Sequence, residues 1–156
     1  MQLKESSIRS EKVVLLGPSS SGKTSLVSRL ISEKFDSSSK ATIGAALASK
    51  TFNIDGEEIK LDIWDTGGSE KYKALAPMYY RDARGVVIVY DVTNQSSLDE
   101  AQNWLDQVRD NGQEQILIVA AANKCDAIEE REVSEEKTND FGFVNQLDTY
   151  LETSAK

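Results

Sequence analysis

An eight-residue stretch near the N-terminus has the residue types and spacing of a phosphate-binding loop. It runs Gly-Pro-Ser-Ser-Ser-Gly-Lys-Thr from Gly17 to Thr24, with an apolar run before it and a helical pattern after it. In that context the glycines let backbone N–H groups turn towards an anion, and the helix N-terminus adds a positive dipole. Lys23 is expected to reach the β- and γ-phosphates, and the Thr24 hydroxyl to bind Mg²⁺. The stretch predicts a site for a nucleoside diphosphate or triphosphate.

Three residues farther along the chain suit a metal ion and a terminal phosphate. Asp65 ends a hydrophobic strand, where phosphoryl-transfer enzymes hold Mg²⁺, usually through a water molecule. Gly68 follows and lets a backbone N–H approach the γ-phosphate closely. Thr42, in the serine-rich segment 35–46, is a candidate second Mg²⁺ ligand when a γ-phosphate is present. Taken singly, the same residues are also typical of an ordinary turn and a mobile surface connection.

Composition narrows the classes of protein that fit. At 156 residues, with 39% hydrophobic and 28% charged residues, the chain is expected to form one domain, 1–156. Its net charge of −8 argues against sequence-independent nucleic-acid binding, so no nucleic-acid partner is expected. The absence of histidine excludes histidine acid–base chemistry, and the single Cys125 is typical of a reducing compartment. No apolar run is long enough to span a membrane and no signal-peptide core is present, so a cytoplasmic protein is expected.

The order of strand and helix patterns places the candidate residues at one edge of a sheet. Hydrophobic periodicity predicts β-α-β-β-α-β-α-β-α-β, an α/β fold with a mostly parallel sheet and one antiparallel edge strand. Asp55-Gly56 between two alternating runs predicts the hairpin that supplies this strand. Ligands of such sheets bind beyond the carboxyl ends of the strands. We therefore expect the phosphate loop, Asp65, Asn123 and Ser154 to converge on one crevice.

Two of the helices have sequence patterns of different quality. Ser97 and Glu100 form a capping box before a clean amphipathic pattern. The segment 133–146 is a poor helix, because Gly142 in its middle costs about 1 kcal/mol relative to alanine. Both segments are expected to cover the sheet.

The motifs, taken in order, resemble those of the Ras superfamily of small GTPases, and most closely its Rab branch of the early-endosomal type. The resemblance extends over residues 12–156. Besides the phosphate loop, Thr42 and Asp65-x-x-Gly68, it rests on Asn123-Lys124-x-Asp126, Ser154-Ala155-Lys156, Thr42–Ala46, Ile63–Thr66, Leu75–Arg81 and Tyr90–Thr93. It implies a P-loop NTPase G domain with six strands and helices on both faces. It also implies a GTP-hydrolysing molecular switch of vesicle trafficking and protein transport, with Mg²⁺ as cofactor and effector, exchange-factor and activating proteins as partners.

The resemblance implies a set of nucleotide-binding residues along the whole crevice. They are Ser19, Ser20, Ser21, Gly22, Lys23, Thr24, Ser25, Phe35, Thr42, Asp65, Gly68, Asn123, Lys124, Asp126, Ser154, Ala155 and Lys156. Those expected to hold the metal are Thr24, Thr42 and, through a water, Asp65.

At the base, Asp126 can accept hydrogen bonds from the guanine N1–H and exocyclic amine, which adenine cannot reproduce. Asn123 either binds the guanine O6 or pins neighbouring loops, and Lys124 can cover the ring. The Ala155 N–H is expected at O6, and Phe35 is expected to stack edge-on against the purine.

Several positions depart from the family pattern, among them Ser19, where a glycine or another small residue is expected. Ser69 stands where the family has a water-orienting glutamine, and its hydroxyl stops well short of an amide's reach. Gly67 stands where alanine is usual, and Ser39 replaces an aromatic residue that can cover the phosphates in relatives. With Ser69, Gly68 and Lys23 as the catalytic residues, intrinsic hydrolysis is expected to be about ten- to a hundredfold slower than in a glutamine-bearing relative.

Two other functions stay open at this point. One is a nucleotide-bound scaffold, or pseudo-GTPase, that binds GTP or GDP without useful hydrolysis, which also fits Ser69 and Gly67. The other is an adenine-nucleotide enzyme such as a P-loop kinase, against which the Asn123-Lys124-x-Asp126 motif argues.

The resemblance also implies a partner surface and a longer chain. The apolar effector-binding residues it implies are Ile43, Leu47, Trp64 and Tyr79. Core packing is the alternative role for Trp64 and Tyr79, and Leu47 stands where phenylalanine is usual. A Rab protein continues beyond Ser-Ala-Lys into a final helix and a prenylated tail, so the last helix is expected to be missing after Lys156. Peripheral association with endosomal or vesicle membranes would then come from sequence outside this chain or from a partner. Residues 1–11 are expected to be flexible.

Overall fold

Six strands form one sheet in the order β2-β3-β1-β4-β5-β6. The computed structural model describes residues 8–38 and 40–156. Within them β2 and β3 pair antiparallel and every other neighbouring pair is parallel, which confirms the predicted sheet. The strands are β1 (Arg9–Leu16), β2 (Ala45–Ile54), β3 (Glu57–Thr66), β4 (Gly85–Asp91), β5 (Leu117–Asn123) and β6 (Thr149–Glu152).

Helices lie on both faces of the sheet, as predicted. One face is covered by α1, and the other by α3, α4 and α5. A short 3-10 turn lies at Ile128–Glu130. The helices are α1 (Lys23–Ser32), α2 (Glu70–Lys73), α3 (Ala76–Tyr80), α4 (Gln95–Asn111) and α5 (Glu135–Val144).

The two faces differ in how completely they are covered. On the larger side, the amphipathic stripe of α4 buries Trp104, Leu105 and Val108 against β1, β4 and β5. On the other side, α1 packs through Leu26 and its apolar neighbours against a smaller cluster. An apolar groove of about 270 Å³ lies beside α1 on that face. Its walls include Leu61, Val119 and Leu151. The larger cluster therefore carries most of the hydrophobic stabilisation.

The hairpin of β2 and β3 brings the segment before β2 to the nucleotide crevice. Asp55 and Gly56 both have left-handed backbone (φ 52° and 85°), the conformation of a two-residue type I′ turn. The predicted hairpin is confirmed. Its register pairs Ala45 with Thr66, so the loop that precedes β2 lies beside the carboxyl end of β3.

The first strand begins earlier than expected. Residues 9–11, predicted to belong to a flexible N-terminal segment, pair in parallel with β3 and are therefore ordered as strand. The rest of that prediction, residues 1–7, lies outside the described residues, and so does the replacement at Ser39. The strand extends because β3 is long enough to offer partners as far as Ile59.

The predicted capping box of α4 is wrong. The helix begins at Gln95, and the side chain of Asn94 caps it by accepting a hydrogen bond from the Ser96 N–H at 3.0 Å. Ser97 Oγ is buried and instead accepts from the Asp91 N–H at 2.8 Å. Asn94 is as good a cap as serine, and the tertiary contact to Asp91 removes Ser97 from that role.

The weak helix pattern near the C-terminus has a packing reason. α5 forms despite Gly142, and a Cβ at that position would lie 2.1 Å from the ring of Tyr150. The missing side chain lets Tyr150 of β6 pack directly on the helix. The adjacent residue, Phe141, meets Tyr90 edge to face, with ring centroids 5.6 Å apart. The glycine lowers helix propensity but permits this contact.

Candidate nucleotide-binding site

The carboxyl ends of the strands open into one crevice with two adjoining cavities. The first, of about 80 Å³, is lined by Ser19, Ser20, Gly22, Lys23, Thr24, Ser25, Lys40, Ala41, Thr42, Thr66 and Gly68. The second, of about 330 Å³, is lined by Ser20, Gly22, Ser25, Phe35, Asp36, Ser37, Asn123, Lys124, Asp126, Ala127, Ala155 and Lys156. We call them the phosphate cavity and the base cavity. The segments expected to converge therefore meet at one place.

The phosphate loop has the backbone shape that its sequence predicts. Ser20 and Gly22 have left-handed φ values of 64° and 95°. A Cβ on Gly22 would lie 2.3 Å from Asn123 Nδ2, so the position admits no side chain in this conformation. Because α1 begins at Lys23 and its N-cap is Gly22, no cap side chain occupies the first-turn N–H groups. These N–H groups are available to an anion.

Lys23 is buried beneath the phosphate loop. Its Nζ donates hydrogen bonds to the carbonyl oxygens of Gly17 at 2.9 Å and Pro18 at 2.8 Å. Burial lowers the pKa of Lys23 to about 8, although the nearby Asp65 carboxylate acts in the opposite direction. The ammonium is thus held mainly by neutral acceptors, and an anionic phosphate would supply the charge that it lacks.

Three oxygen-bearing side chains meet at the floor of the phosphate cavity. Thr24 Oγ1 donates to Asp65 Oδ2 at 2.6 Å and lies 2.6 Å from Thr42 Oγ1. Since a hydroxyl has one proton, Thr42 must be the donor in the second contact. Asp65 is buried, and its other oxygen, Oδ1, has no partner among the described residues. Burial raises the pKa of Asp65, against the effects of the Thr24 hydrogen bond and Lys23. Hard oxygen donors with an unsatisfied carboxylate oxygen fit Mg²⁺.

The 67–69 turn packs against both the phosphate loop and the loop before β2. A Cβ on Gly68 would lie 2.4 Å from the Ser19 nitrogen, so Gly68 rests directly on the phosphate loop. The Gly67 N–H donates to the Gly44 carbonyl at 2.7 Å. A Cβ on Gly67 would lie 2.7 Å from the Thr42 carbonyl oxygen. The two segments that face the phosphate cavity therefore touch each other.

Ser69 has a local structural role. Its Oγ accepts a hydrogen bond from the Lys71 N–H at 3.2 Å and caps α2. Of the three residues predicted to be catalytic, Lys23 and Gly68 line the phosphate cavity, and Ser69 is not among its lining residues. The structure therefore places the Ser69 hydroxyl at the start of a helix.

The base cavity is built by contacts between distant parts of the chain. Asn123 Nδ2 donates to the Ser21 carbonyl at 2.9 Å, and Asn123 Oδ1 accepts from Thr153 Oγ1 at 3.1 Å. Of the two roles considered for Asn123, the structure shows the one that pins neighbouring loops. Lys124 Nζ donates to the Ser20 carbonyl at 2.8 Å and pairs with Asp91 at 2.7 Å. Lys124 thus ties β5 to the phosphate loop.

The far wall of the base cavity holds Asp126. Its Oδ1 accepts a hydrogen bond from Ser154 Oγ at 2.7 Å, which orients the carboxylate at the rim. Ala155 is buried, and its carbonyl accepts from Arg29 Nε at 2.7 Å, which fixes the end of the chain to α1. Phe35 is 40% exposed and lies on the cavity wall with Lys156. All the residues expected at the base therefore surround this cavity.

Sequence reasoning missed two residues that position the site. Asp91 is the last residue of the buried strand β4 and Asp65 is the last but one of β3, so the same rule could have found Asp91. Arg29 and Ala155 are 126 positions apart in the sequence, and no local sequence pattern predicts that they are in contact.

The residues expected to bind effectors form two kinds of surface. Ile43 and Leu47 are 83% and 57% exposed. The rings of Trp64 and Tyr79 have centroids 5.9 Å apart and planes tilted by 34°, and both side chains pack against the larger core while part of each stays exposed. The register of the hairpin sets Leu47 opposite Trp64. Among the helices of the described residues, none has the length and apolarity to cross a membrane.

Comparison with known proteins agrees with this geometry. The Ras family model matches residues 12–156. Ras-related protein Rab5A of Oryza sativa subsp. japonica is 42% identical over 149 residues, 96% of this chain and 73% of the rice protein. GTP-binding protein ypt5 of Schizosaccharomyces pombe is 43% identical over 147 residues, 94% of this chain and 70% of the yeast protein. Ras-related protein Rab-22A of Homo sapiens is 41% identical over 150 residues, 96% of this chain and 76% of the human protein. The chain therefore belongs to the Ras family and, within it, to the Rab small GTPases, which hydrolyse GTP to GDP.

Proposed function

We propose that the chain is a guanine-nucleotide switch whose intrinsic hydrolysis of GTP is slow. The observation that carries the proposal is the position of Ser69, whose hydroxyl caps α2 while Lys23 and Gly68 line the phosphate cavity. Phosphate binding is supported by the free backbone N–H groups at the start of α1 and by the buried Lys23 ammonium, whereas Ser69 is not among the residues that line the phosphate cavity. Binding is thus supported better than water positioning.

Selection of guanine rests on the Asp126 carboxylate. Ser154 orients it with one hydrogen bond, and its other acceptor positions face the base cavity. A guanine offers two N–H donors to a carboxylate, and adenine cannot offer the same pair. Adenine would leave a desolvated carboxylate short of partners, which is costly. The site therefore supports a guanine nucleotide over an adenine one.

The residues that would hold Mg²⁺ are Thr24, Thr42 and, through a water, Asp65. When bound, the ion neutralises charge on the β- and γ-phosphates. Thr24 and Asp65 are already in contact through the 2.6 Å hydrogen bond, so part of the ligand set is positioned by the protein alone. Thr42 comes from the loop before β2 and links that loop to the state of the phosphates. Loss of the γ-phosphate is expected to release both this loop and the 67–69 turn.

A nucleotide-bound scaffold is the second candidate, and the same position of Ser69 favours it. In that case hydrolysis would be too slow to matter even with an activating protein. A turnover assay with a candidate activating protein separates the two functions, because the scaffold would show no stimulated release of phosphate.

From the Rab relatives we infer that the protein functions in vesicle trafficking. Effector proteins would bind the exposed side chains of Ile43 and Leu47 together with the paired aromatic rings of Trp64 and Tyr79. Exchange-factor and activating proteins would act on the two loops at the phosphate cavity. Association with endosomal or vesicle membranes would use sequence outside this chain or a partner.

The decisive experiment compares wild type with Ser69→Gln in single-turnover hydrolysis of bound GTP. We expect the glutamine variant to be about ten- to a hundredfold faster, because its amide can orient the attacking water. Ser69→Ala is the matched control, since it removes the helix cap without adding an amide. It should stay within about threefold of wild type. A glutamine variant no faster than wild type would contradict the slow-hydrolysis proposal.

A further inference from the structure

A second lysine lies at the phosphate cavity. Lys40 lines it together with Lys23, and the other described lining residues are uncharged. The described residues that line this cavity thus include two cations and no carboxylate, in a chain whose net charge is −8, and the Asp65 carboxylate lies behind them, bonded to Thr24. Such a local reversal of sign is what binding of a polyanionic phosphate chain requires.

The two lysines differ in what they contact. Lys23 is buried, and the Gly17 and Pro18 carbonyls hold its ammonium. Lys40 is exposed, and it has no hydrogen-bond or ion-pair partner among residues 8–38 and 40–156. Its ammonium can therefore turn towards a ligand without breaking a contact in the described structure.

The loop that carries Lys40 is held over the phosphate cavity at two points. Thr42 Oγ1 lies 2.6 Å from Thr24 Oγ1, and the Gly44 carbonyl accepts from the Gly67 N–H at 2.7 Å. Thr42 and Gly68 line the same cavity as Lys40. These are the residues that the proposed function places at the γ-phosphate, and Lys40 lies two positions before Thr42. The anchors thus keep Lys40 on the γ-phosphate side of the cavity.

We propose that Lys40 contacts the γ-phosphate of the bound nucleotide from within this chain, so that it favours GTP over GDP. It would also stabilise the negative charge that spreads over the γ-phosphoryl oxygens during hydrolysis, as a cation supplied in cis does in other phosphoryl-transfer sites. The proposal rests on the proposed function, because it requires a guanine nucleotide at these cavities. Since Ser69 does not line the phosphate cavity, Lys40 would be the charged side chain that the loop before β2 contributes to the γ-phosphate, beside Thr42.

The test measures affinity for GDP and for a non-hydrolysable GTP analogue in Mg²⁺, by displacement of a fluorescent guanine nucleotide. Lys40→Ala should weaken the GTP analogue about tenfold and leave GDP within about twofold. Lys40→Arg should restore most of the loss, since it keeps the charge. Lys34→Ala is the matched control, because Lys34 is an exposed lysine at the start of the same loop that lines neither cavity. It should leave both affinities unchanged. Thermal unfolding of each variant checks that the fold is kept.

A ratio of GTP-analogue to GDP affinity that is the same in Lys40→Ala and wild type overturns the proposal, whether both affinities fall together or neither changes. A single-turnover hydrolysis rate that falls by a similar factor in Lys40→Ala, and recovers in Lys40→Arg, supports the charge-stabilising part. Failure of the proposed function has a different signature. It would appear in wild type itself, as a lack of preference for guanine over adenine nucleotides.

Discussion

Asn123 and Thr42 are both polar residues of the nucleotide crevice, and the structure anchors them differently. Asn123 is 1% exposed and uses both ends of its amide, one on the Ser21 carbonyl and one on Thr153. Thr42 is half-buried, and within the described part of the chain its side chain makes one hydrogen bond, with the Thr24 hydroxyl. Hydrogen bonds to protein groups hold the Asn123 side chain at both ends. The Thr42 side chain is held by one hydrogen bond, to the Thr24 hydroxyl, which is itself a candidate metal ligand.

The same contrast appears at two glycines. A Cβ on Gly22 would collide with the Asn123 amide at 2.3 Å, and a Cβ on Gly67 would collide with the Thr42 carbonyl at 2.7 Å. The neighbour of Gly22 cannot move without breaking the contacts that join β5, β6 and the phosphate loop. The neighbour of Gly67 belongs to a loop with two anchors. A Cβ would clash at both positions, but the cost should be larger at Gly22 than at Gly67.

This difference in anchoring divides the site into two parts. One part is held together by protein contacts alone, and the other needs a ligand to complete it. The base cavity and phosphate loop are joined by contacts between residues far apart in sequence, so they should keep their shape without nucleotide. The loop before β2 and the 67–69 turn meet each other through few contacts, as expected of segments whose order depends on a γ-phosphate.

The largest expected effect is a loss of nucleotide affinity, and it tests the base cavity, the part of the site that protein contacts hold together. Asp126→Ala removes the carboxylate that selects guanine, and affinity for GDP should fall about a thousandfold, since two charge-assisted hydrogen bonds are lost. Because Asp126 is exposed and accepts one hydrogen bond from Ser154, the free energy of unfolding should change by less than about 1 kcal/mol. Nucleotide displacement and urea unfolding measure the two quantities.

Asp99→Ala is the control for Asp126→Ala, because Asp99 is an exposed aspartate of α4 that lines neither nucleotide cavity. Its affinity for GDP should equal that of wild type. If Asp126→Ala also lost several kcal/mol of stability, the fold of the base cavity would depend on this side chain, contrary to the expectation.

The next effect is on folding stability. Gly22→Ala should destabilise the ligand-free protein by about 3 kcal/mol, from a left-handed backbone and a clash with an amide that cannot move. Gly56→Ala is the matched control, since Gly56 has a similar φ of 85° and open space around its Cβ position. It should cost about 1 kcal/mol. Equal losses in the two variants, measured by denaturant unfolding, would mean that Asn123 is not fixed as tightly as its hydrogen bonds suggest.

Much of this arrangement follows from local sequence signals. The phosphate loop, Asp65 and the Asp55-Gly56 hairpin were predicted because each combines a residue type with a flanking strand or helix pattern. The parallel sheet then brings the strand ends together. Geometry that depends on a backbone turn or on strand order is therefore accessible from sequence.

Other features depend on contacts that local patterns do not contain. Ser97 and Asn94 both look like helix caps, and the bond between Ser97 and Asp91 decides which of them caps α4. Gly142 is unfavourable in a helix when the sequence alone is considered, and the packing of Tyr150 against it explains why a glycine is needed there. The resemblance identified position 69 as a departure, but only the structure shows that Ser69 caps α2. Packing between α5 and β6 explains Gly142, whereas the bonds of Ser97 and Ser69 join residues six and two positions apart, and residue type alone does not show which neighbours will pair.

The smallest expected effect on stability belongs to Gly67→Ala. Gly67 has no left-handed backbone, so the cost comes only from the approach of a Cβ to the Thr42 carbonyl at 2.7 Å and to Tyr72 Cδ2 at 2.8 Å. The loop before β2 can move away, so unfolding should lose less than about 1 kcal/mol. Hydrogen exchange of the Gly67 N–H should instead accelerate about tenfold, because its bond to the Gly44 carbonyl is opened.

Gly85→Ala is the control for that substitution, because a Cβ at this first residue of β4 meets the Leu117 carbonyl at 3.4 Å. It should leave exchange at Gly67 unchanged. Suppose instead that Gly67→Ala lost as much stability as Gly22→Ala, with exchange at Gly67 as slow as in wild type. The loop before β2 would then be held as firmly as the base cavity, and its order would not need a γ-phosphate. An accelerated exchange with little loss of stability places the flexibility of the site at the contact between its two loops, where a switch requires it.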